Sequence, residues 1–289
     1  MTITPQQVQA YRAHTFRLAE MRRLQSKQDA VAFVQERGFV SFWPIKDMLM
    51  PSLWTAVAGD RPVASAHDDP GHVTWGWKDE MLDARQWYYA KVLRGKATMI
   101  SLDAAPIFYA LSENYGEPEK DYLQHYQDGL MTREAKVLYE ALLQHGPLDT
   151  VRLRRKIQMT SRQSDSPFNR ALTYLQRAFK ILPVGVSQSG GWRYSFIYDA
   201  VHRHYPDIPR QARAIGRGEA RERLALLYLA SVGAATSGEA RKVFQWRPRE
   251  VRGVLQRLVE DGRLDYQPDT ADGSGHYIWP ALHATFHEL

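Results

Sequence analysis

The stretch SPFNRALTYLQRAFKILPVGVSQSGGWRYSFIYD (Ser166–Asp199) contains the pattern that decides the fold. Its first part places apolar residues at helical spacing, and its second part has two aromatic and apolar runs around a glycine-rich turn. This pattern predicts a helix followed by a two-stranded hairpin. The same order returns in RPREVRGVLQRLVEDGRLDYQPDTADGSGHYIWP (Arg247–Pro280). The chain therefore contains an internal repeat.

Each copy of the repeat is preceded by two further predicted helices. An apolar helix ends near Gly146 in the first copy and near Gly233 in the second, and glycine commonly ends a helix. A short basic helix follows, TVRLRRKI (150–157) or SGEARKVF (237–244). Three helices and a two-stranded wing are typical of the winged-helix form of the helix-turn-helix.

The repeat sets the predicted domain organisation. We predict an N-terminal block at 1–128, a winged helix at 129–201, a basic linker at 202–222 and a second winged helix at 223–289. The expected fold class is mainly α with small β-hairpins (α+β), with the tandem winged helices behind an N-terminal α/β block. The elements predicted in that block are helices at 5–14, 27–37, 51–59 and 103–114, strands at 37–45 and 73–80, a hairpin at 87–102 and an acidic connector at 115–129.

The charge distribution points to a polyanionic partner. The net charge is +6, and residues 129–289 hold 24 Lys and Arg against 16 Asp and Glu. Residues 150–180 hold eight basic residues and one acid, Asp165. Such an excess is typical of nucleic-acid binding, although solvated arginines on helix surfaces are the alternative.

The basic side chains that follow the winged-helix pattern are the candidate DNA contacts. In this fold the third helix can enter the major groove, and the second helix and the wing can meet the backbone. The candidates are Arg152, Arg154, Arg155, Lys156, Asn169, Arg170, Tyr174, Arg177 and Arg193 in the first copy and Arg247, Arg249 and Arg252 in the second. The second copy is the weaker candidate, because acids are mixed into its third helix and its wing (269–275).

Composition excludes several classes of site. The absence of cysteine excludes disulfides, zinc ribbons and thiol nucleophiles. The sequence has no glycine-rich phosphate loop and no HExxH motif, and no carboxylate stands at ligand spacing from His202 and His204, which we assign to a polar linker. The longest apolar run, Leu224–Ala235, is shorter than the roughly 20 residues that span a bilayer. We expect a cytoplasmic protein, nucleoid-associated if it binds DNA, with no cofactor, metal or membrane partner; its oligomeric state stays open, with a monomer as the first expectation.

The N-terminal block is rich in aromatic side chains. Two lie in the predicted strand at 73–80, and three lie at the start of the predicted hairpin: Trp75, Trp77, Trp87, Tyr88 and Tyr89. Such rings could stack on unpaired bases, but core packing is the favoured interpretation for aromatic residues at strand spacing.

The stretch TWGWKDEMLDARQWYYAKVLRGKATMISL (Thr74–Leu102), together with the tandem winged helices, resembles the winged-helix DNA glycosylases of the AlkZ/YcaQ type, and in particular an AlkZ-related branch. Enzymes of this family excise alkylated or crosslinked bases without a metal or cofactor. The resemblance implies double-stranded DNA as the partner. It also implies that the hairpin engages DNA through Arg94 and Lys96 at its tip.

The resemblance also implies where a catalytic site would lie. The family enzymes carry a Gln–apolar–Gln or Gln–apolar–Asp triplet on an early strand, and the matching triplet here is Ser41-Phe42-Trp43. The apolar centre is kept, but neither polar end is, and a tryptophan cannot act as a general base. We expect Trp43 to fill the site, with Ser41 as a small neighbour. Asp47 and Asp79 are the candidates for a displaced catalytic carboxylate.

Three functions remain open from the sequence. The first is a double-stranded DNA-binding protein that recognises DNA without base excision, and thus no enzyme. The second is an active DNA glycosylase that uses a displaced carboxylate. The third is a winged-helix scaffold for protein interactions.

Overall fold

The computed structural model describes residues 2–114, 116–190, 193–268 and 275–284. Its helices are α1 (Pro5–Thr15), α2 (Lys27–Arg37), α3 (Leu53–Ala58), α4 (Val73–Asp83), α5 (Ala105–Tyr109), α6 (Pro118–Gln127), α7 (Arg133–His145), α8 (Thr150–Lys156), α9 (Asp165–Arg177), α10 (Val201–His204), α11 (Asp207–Ala212), α12 (Arg217–Val232), α13 (Ser237–Phe244), α14 (Pro248–Glu260) and α15 (Ala281–Ala284). Its strands are β1 (Phe39–Ser41), β2 (Tyr88–Lys91), β3 (Ala97–Ile100), β4 (Leu148–Asp149), β5 (Ile181–Ser187), β6 (Ser195–Ala200), β7 (Ala234–Thr236), β8 (Asp265–Pro268) and β9 (Gly275–Ile278). No helix within these described ranges is both long and apolar enough to cross a membrane.

The chain divides into two compact units that interleave along the sequence. Unit 1 comprises Met1–Trp77, Met99–Ala104 and Arg217–Leu289, and unit 2 comprises Lys78–Thr98 and Ala105–Gly216. The predicted N-terminal block at 1–128 is therefore not a separate unit. The reason is that the segment around β2 packs against α9 and β5, which lie far along the chain.

Two groups of elements repeat the same order: helix, strand, helix, helix, strand, strand. We call the elements from α7 to β6 the first module, within unit 2, and those from α12 to β9 the second module, within unit 1. Each module has a three-stranded antiparallel sheet, in the order β4-β6-β5 or β7-β9-β8. The predicted wing of the second module at 269–275 lies mostly outside the described residues.

The third helix of each module is buried on one face. Its buried side chains follow helical spacing, as the sequence predicts. They are Phe168, Ala171, Leu172 and Leu175 on α9 and Val251, Val254, Leu255 and Leu258 on α14. This apolar face anchors the helix on its module and leaves the opposite face, which carries the predicted contact residues, directed outward.

Strands β4 and β7 are absent from the sequence prediction. They contain two and three residues, which is too short for an alternating pattern to be recognised. Each exists because it pairs with the last strand of its module, β4 with β6 and β7 with β9.

The predicted helices at 5–14 and 27–37 are confirmed as α1 and α2. Thr4 and Ser26 begin these helices with capping boxes, in which the side chain accepts from the third backbone N–H of the helix. Helix α2 ends at Gly38, whose φ of 76° suits glycine. The strand that follows is short, because only Phe39–Ser41 has strand geometry.

Residues 73–80 form most of helix α4, so the predicted strand is wrong. Thr74, Lys78 and Leu82 are all buried, and their spacing of four residues places them on one face of a helix. Trp75 and Trp77 lie two positions apart, which is also the spacing of side chains on one face of a strand. This spacing led to the wrong prediction.

The acidic connector and the linker contain more helix than predicted. Helix α6 occupies most of 115–129, and the ring of Tyr122 packs edge-on against Tyr139 of α7, with centroids 5.3 Å apart. Helices α10 and α11 lie within unit 2, where Ile208 is buried. Helices this short have too few apolar positions for a periodic signal, so tertiary packing decides them.

Candidate nucleic-acid interface

Helix α9 presents a polar face opposite its buried one. Asn169, Arg170 and Arg177 are exposed on this face, and Tyr174 is half-buried. The guanidinium of Arg170 donates through Nη1 to Oγ of Ser166 at 2.6 Å. Arginine, asparagine and serine side chains on one helical face offer hydrogen-bond donors to phosphates or base edges.

This face of α9 lines a groove, which the sequence did not predict. The groove has a volume of about 1090 Å³ and is bounded on its other side by Leu111, Ser112, Glu113 and Leu130. These residues follow α5 and α6, so the groove exists only because the chain folds back beside α9. Its wall is mainly apolar around the two arginines.

The predicted hairpin tip packs directly on α9. Strands β2 and β3 flank the turn at Arg94 and Gly95, where both residues have positive φ. A Cβ placed on Gly95 would lie 3.1 Å from Cγ2 of Thr173, and the backbone N–H of Lys91 donates to Oε1 of Gln176 at 3.0 Å. The tip therefore carries its cations beside the polar face of α9.

The cations around this turn lie close together. Arg94 and Lys96 are both exposed. Burial lowers the pKa of Lys91, and the neighbouring charge of Lys96 lowers it further. We call Arg94, Lys96, Arg170 and Arg177 the first basic surface.

One cation of helix α8, Arg154, makes contacts within the protein, whereas the others are exposed. Nη1 of Arg154 donates to Oδ1 of Asp165 at 2.7 Å and to the carbonyl of Met159 at 3.1 Å, and its guanidinium lies 4.2 Å from the centre of the Phe168 ring. Arg154 thus ties α8 to α9, and this use of its guanidinium weakens the prediction that it contacts phosphate.

The other predicted cations of the first module are exposed. Arg152 lies 3.4 Å from Asp149, with three quarters of its side chain exposed. Arg155 and Lys156 are exposed and make no ion pair within the described ranges. Arg193 stands in the predicted wing with a φ of 52°, and its N–H donates to the carbonyl of Gly190.

In the second module, acids stand close to the predicted contacts. Arg247, Arg249 and Arg252 are exposed. Glu250 accepts from the backbone N–H of Arg247 at 2.9 Å and pairs with Arg221 at 2.7 Å. The carboxylate of Glu250 therefore lies beside the cations at the start of α14 and reduces the local positive potential.

Ser41, the first position of the catalytic-like triplet, is fully buried. Its hydroxyl donates to the carbonyl of Pro51 at 3.3 Å, and its N–H donates to the same carbonyl at 3.0 Å. Ser41 thus ties β1 to the segment before α3, and its hydroxyl is enclosed by the unit 1 core.

The sequence led us to expect that Trp43 fills the site, whereas the structure leaves part of its side chain exposed. Its side chain is 38% exposed. Strand β1 ends at Ser41, so the strand alternation that would have turned Trp43 inward stops before it. The buried aromatic residue here is Phe42, the apolar centre of the triplet.

Trp43 instead meets Trp75 of α4. The two rings are edge to face, with centroids 5.6 Å apart and planes at 73°. Both contact the buried ring of Phe42, at 5.3 Å and 5.5 Å. We call Trp43 and Trp75 the tryptophan pair. The sequence missed it because the strand assigned to 73–80 grouped Trp75 with Trp77.

Of the other four predicted surface aromatics, Trp77 is half-buried and three belong to the core. Trp87, Tyr88 and Tyr89 are buried, as the favoured interpretation of the sequence stated. The ring of Tyr88 stacks on Phe179 at 4.9 Å.

Asp79, one of the two candidate carboxylates, is tied into a polar cluster. Its Oδ1 accepts from Nζ of Lys78 at 2.7 Å and from the hydroxyl of Tyr194 at 2.9 Å. Lys78 is fully buried, and its Nζ lies 4.5 Å from the centre of the Phe196 ring. Burial lowers the pKa of Lys78, and Asp79 opposes that shift. This pairing identifies Asp79 as the counter-ion of a buried lysine.

The other residues considered for chemistry are Asp47, His202 and His204. Asp47 is exposed, with a φ of 60°. His202 and His204 belong to the short helix α10. Burial lowers the pKa of His204 to about 4, and Arg85 adds to the shift. Within the described parts of the chain, no three His, Asp or Glu residues are grouped as metal ligands.

Comparison with known proteins places the chain in a family. Its sequence matches the family model described as AlkZ related over residues 24–245. A search of curated proteins finds no significant match. A similar solved structure is the DNA glycosylase AlkZ of Streptomyces sahachiroi, with a TM-score of 0.61 and 13% identity, covering 99% of this chain and 72% of that one. At this identity the likeness establishes the fold, and the sequence match establishes the family: the chain belongs to the AlkZ-related family.

Proposed function

We propose that this protein binds double-stranded DNA through two winged-helix modules and does not excise bases. The order of elements in each module is that of the winged helix-turn-helix, with α9 and α14 as third helices. The AlkZ-related family and the fold of a DNA glycosylase support DNA as the partner.

The observation that carries the proposal is the first basic surface. Arg94 and Lys96 lie on a turn that packs against Thr173 of α9, so cations from two distant segments converge. Arg155 and Lys156 of α8 add exposed cations to the same unit. Exposed cations that share one surface suit a phosphate backbone, which they bind by releasing counter-ions.

The residues of the catalytic-like strand support binding without excision. Hydrolysis of an N-glycosidic bond needs a group that positions water and stabilises positive charge on the sugar. Ser41 is enclosed, Trp43 has no suitable group, and Asp79 already neutralises Lys78. Asp47 is the remaining exposed carboxylate among the candidates.

Binding is tested by titrating the full chain with a labelled duplex at several salt concentrations. We expect the Arg94→Ala/Lys96→Ala variant to bind less tightly and to lower the slope of log K against log salt by about 0.9 for each lost phosphate contact. Lys120→Ala/Arg210→Ala is the matched control, because these cations are equally exposed and pair with neighbouring acids. Binding no tighter than that of a neutral protein would overturn the proposal and favour a protein-interaction scaffold.

Excision is tested on the same preparation. The chain is incubated with alkylated and crosslinked duplexes, which are then heated to cleave any abasic sites. We expect intact strands. Strand cleavage above the level of a protein-free control, lost on Asp47→Asn, would replace this part of the proposal with a glycosylase that uses a displaced carboxylate.

A further inference from the structure

The tryptophan pair is an exposed aromatic surface in unit 1. Trp43 is 38% exposed and Trp75 is 36% exposed, although tryptophan gains more than other side chains from burial. Both rings rest on the buried Phe42, which fixes their orientation. The pair is therefore a rigid surface that stays partly open to solvent.

The surroundings of the pair are polar and open. Lys46, three positions after Trp43, is exposed and makes no ion pair within the described ranges. Gly76 follows Trp75, and no atom lies within 4 Å of where its Cβ would be. Val73 is the other large apolar side chain exposed on α4. This patch is small beside the roughly 1,000 Å² that a stable protein interface buries.

We propose that the tryptophan pair binds an unstacked nucleobase of DNA, an inference that rests on the proposed DNA-binding function. A base offers a flat π-face of about the size of an indole ring, and stacking of this kind accepts any base. Lys46, exposed three positions after Trp43, is the cation that we assign to a phosphate next to the stacked base. The expected ligand is a base released from the duplex stack, at a bulge, a mismatch or a single-stranded region.

This assignment gives the departure from the family triplet a function. The third position of the triplet is the indole of Trp43, where the resemblance leads us to expect an amide or a carboxylate. An indole cannot activate water, but it can hold a base that has left the helix. The site thus recognises a disturbed duplex without chemistry on the sugar.

The test compares a fully paired duplex with the same duplex carrying one unpaired adenine. We expect the wild-type chain to bind the bulged duplex more tightly and its tryptophan fluorescence to fall, because a stacked base quenches the indole. In Trp43→Ala/Trp75→Ala, the preference for the bulge should fall by about ten-fold, with binding of the paired duplex unchanged. Trp43→Phe/Trp75→Phe should keep part of the preference.

Controls separate stacking from folding. Tyr126→Ala removes an equally exposed aromatic ring from unit 2 and should leave the bulge preference intact. Thermal melting of each variant should match the wild-type chain, since both tryptophans are already partly exposed. If the alanine pair unfolds, the phenylalanine pair carries the comparison.

The outcomes distinguish this inference from the function on which it rests. Binding of paired DNA without a bulge preference would overturn the inference and leave the proposed function standing. A bulge-dependent quench without binding of paired DNA would support stacking alone. Neither binding nor quenching would overturn both. A change in self-association of Trp43→Ala/Trp75→Ala, without an effect on DNA, would assign the pair to a contact between copies of the chain.

Discussion

The first and second modules share an order of elements and differ in how their cations are used. In the first module, Arg155 and Lys156 are exposed, and the turn at Arg94 adds its charge beside α9. In the second module, Glu250 lies at the start of α14 and Glu222 lies near Arg257. In the first module, Asp149 and Asp165 pair with Arg152 and Arg154, and Arg155 and Lys156 make no ion pair among the described residues. The two modules share a fold, and their charges make the first module the stronger candidate for contact with DNA.

The largest expected effect is on the buried face of the third helix, which both modules share. Phe168→Ala should lower the free energy of unfolding by about 3–5 kcal/mol, because it leaves a cavity beneath α9. Leu258→Ala, which removes a buried side chain beneath α14, should cost about 2–5 kcal/mol. Chemical denaturation measures both. A change below about 1 kcal/mol in either would mean that the module relaxes around the lost side chain.

The next largest effect separates the modules by charge. Arg155→Ala/Lys156→Ala should weaken duplex binding by about ten-fold at low salt, because two phosphate contacts are lost. Arg249→Ala/Arg252→Ala removes equal charge from the second module and should weaken binding by less than about three-fold. Fluorescence anisotropy measures both affinities. An equal loss of affinity in the two variants would contradict the larger contribution that we expect from the first module.

A pH titration tests His204 of α10, the helix that directly follows the first module. The pKa of His204 is lowered by burial and by Arg85, while Asp199 and Asp83 act in the opposite direction. The folded-state pKa is about 4 and the ordinary value is 6.5, so the unfolded state binds more protons between these two values. The free energy of unfolding should therefore fall as pH drops from 6.5 to 4.

The loss should be on the order of 1 kcal/mol, since His204 is partly exposed. Urea denaturation at each pH measures it, and His204→Asn should flatten this part of the curve. An unchanged slope in the variant would assign the pH dependence to other groups.

The smallest effect tests equivalent caps in the two modules. Asp149 begins α8 by accepting from the N–H of Arg152, and Thr236 begins α13 by accepting from the N–H of Glu239. Alanine at either position should cost about 1 kcal/mol, because a backbone donor loses its partner. Thermal unfolding compares the two, and a much larger loss at Asp149 would indicate that its ion pair with Arg152 also stabilises the fold.

The repeat could be predicted from the sequence, as could α1, α2 and the buried faces of α9 and α14. These elements have long apolar periodicity or a capping pair such as Ser26 and Asp29, both of which are local signals. Strands β4 and β7 have no local signal, because their hydrogen bonds come from residues 40 to 50 positions further along the chain. The strand assigned to 73–80 failed for the same reason: burial of Lys78 depends on Phe196 and Tyr194.

The candidate site also combines features that follow from the sequence with features that depend on the tertiary structure. The sequence by itself determined the basic excess of the second half and the identity of Ser41, Phe42 and Trp43 in the triplet, because these are properties of residue identity. Only the tertiary structure decided that Arg154 is held by Asp165, that Ser41 is enclosed and that Trp43 meets Trp75 at the surface. Each of these contacts joins residues of different elements, and whether a side chain is free to meet a ligand depends on its neighbours in space.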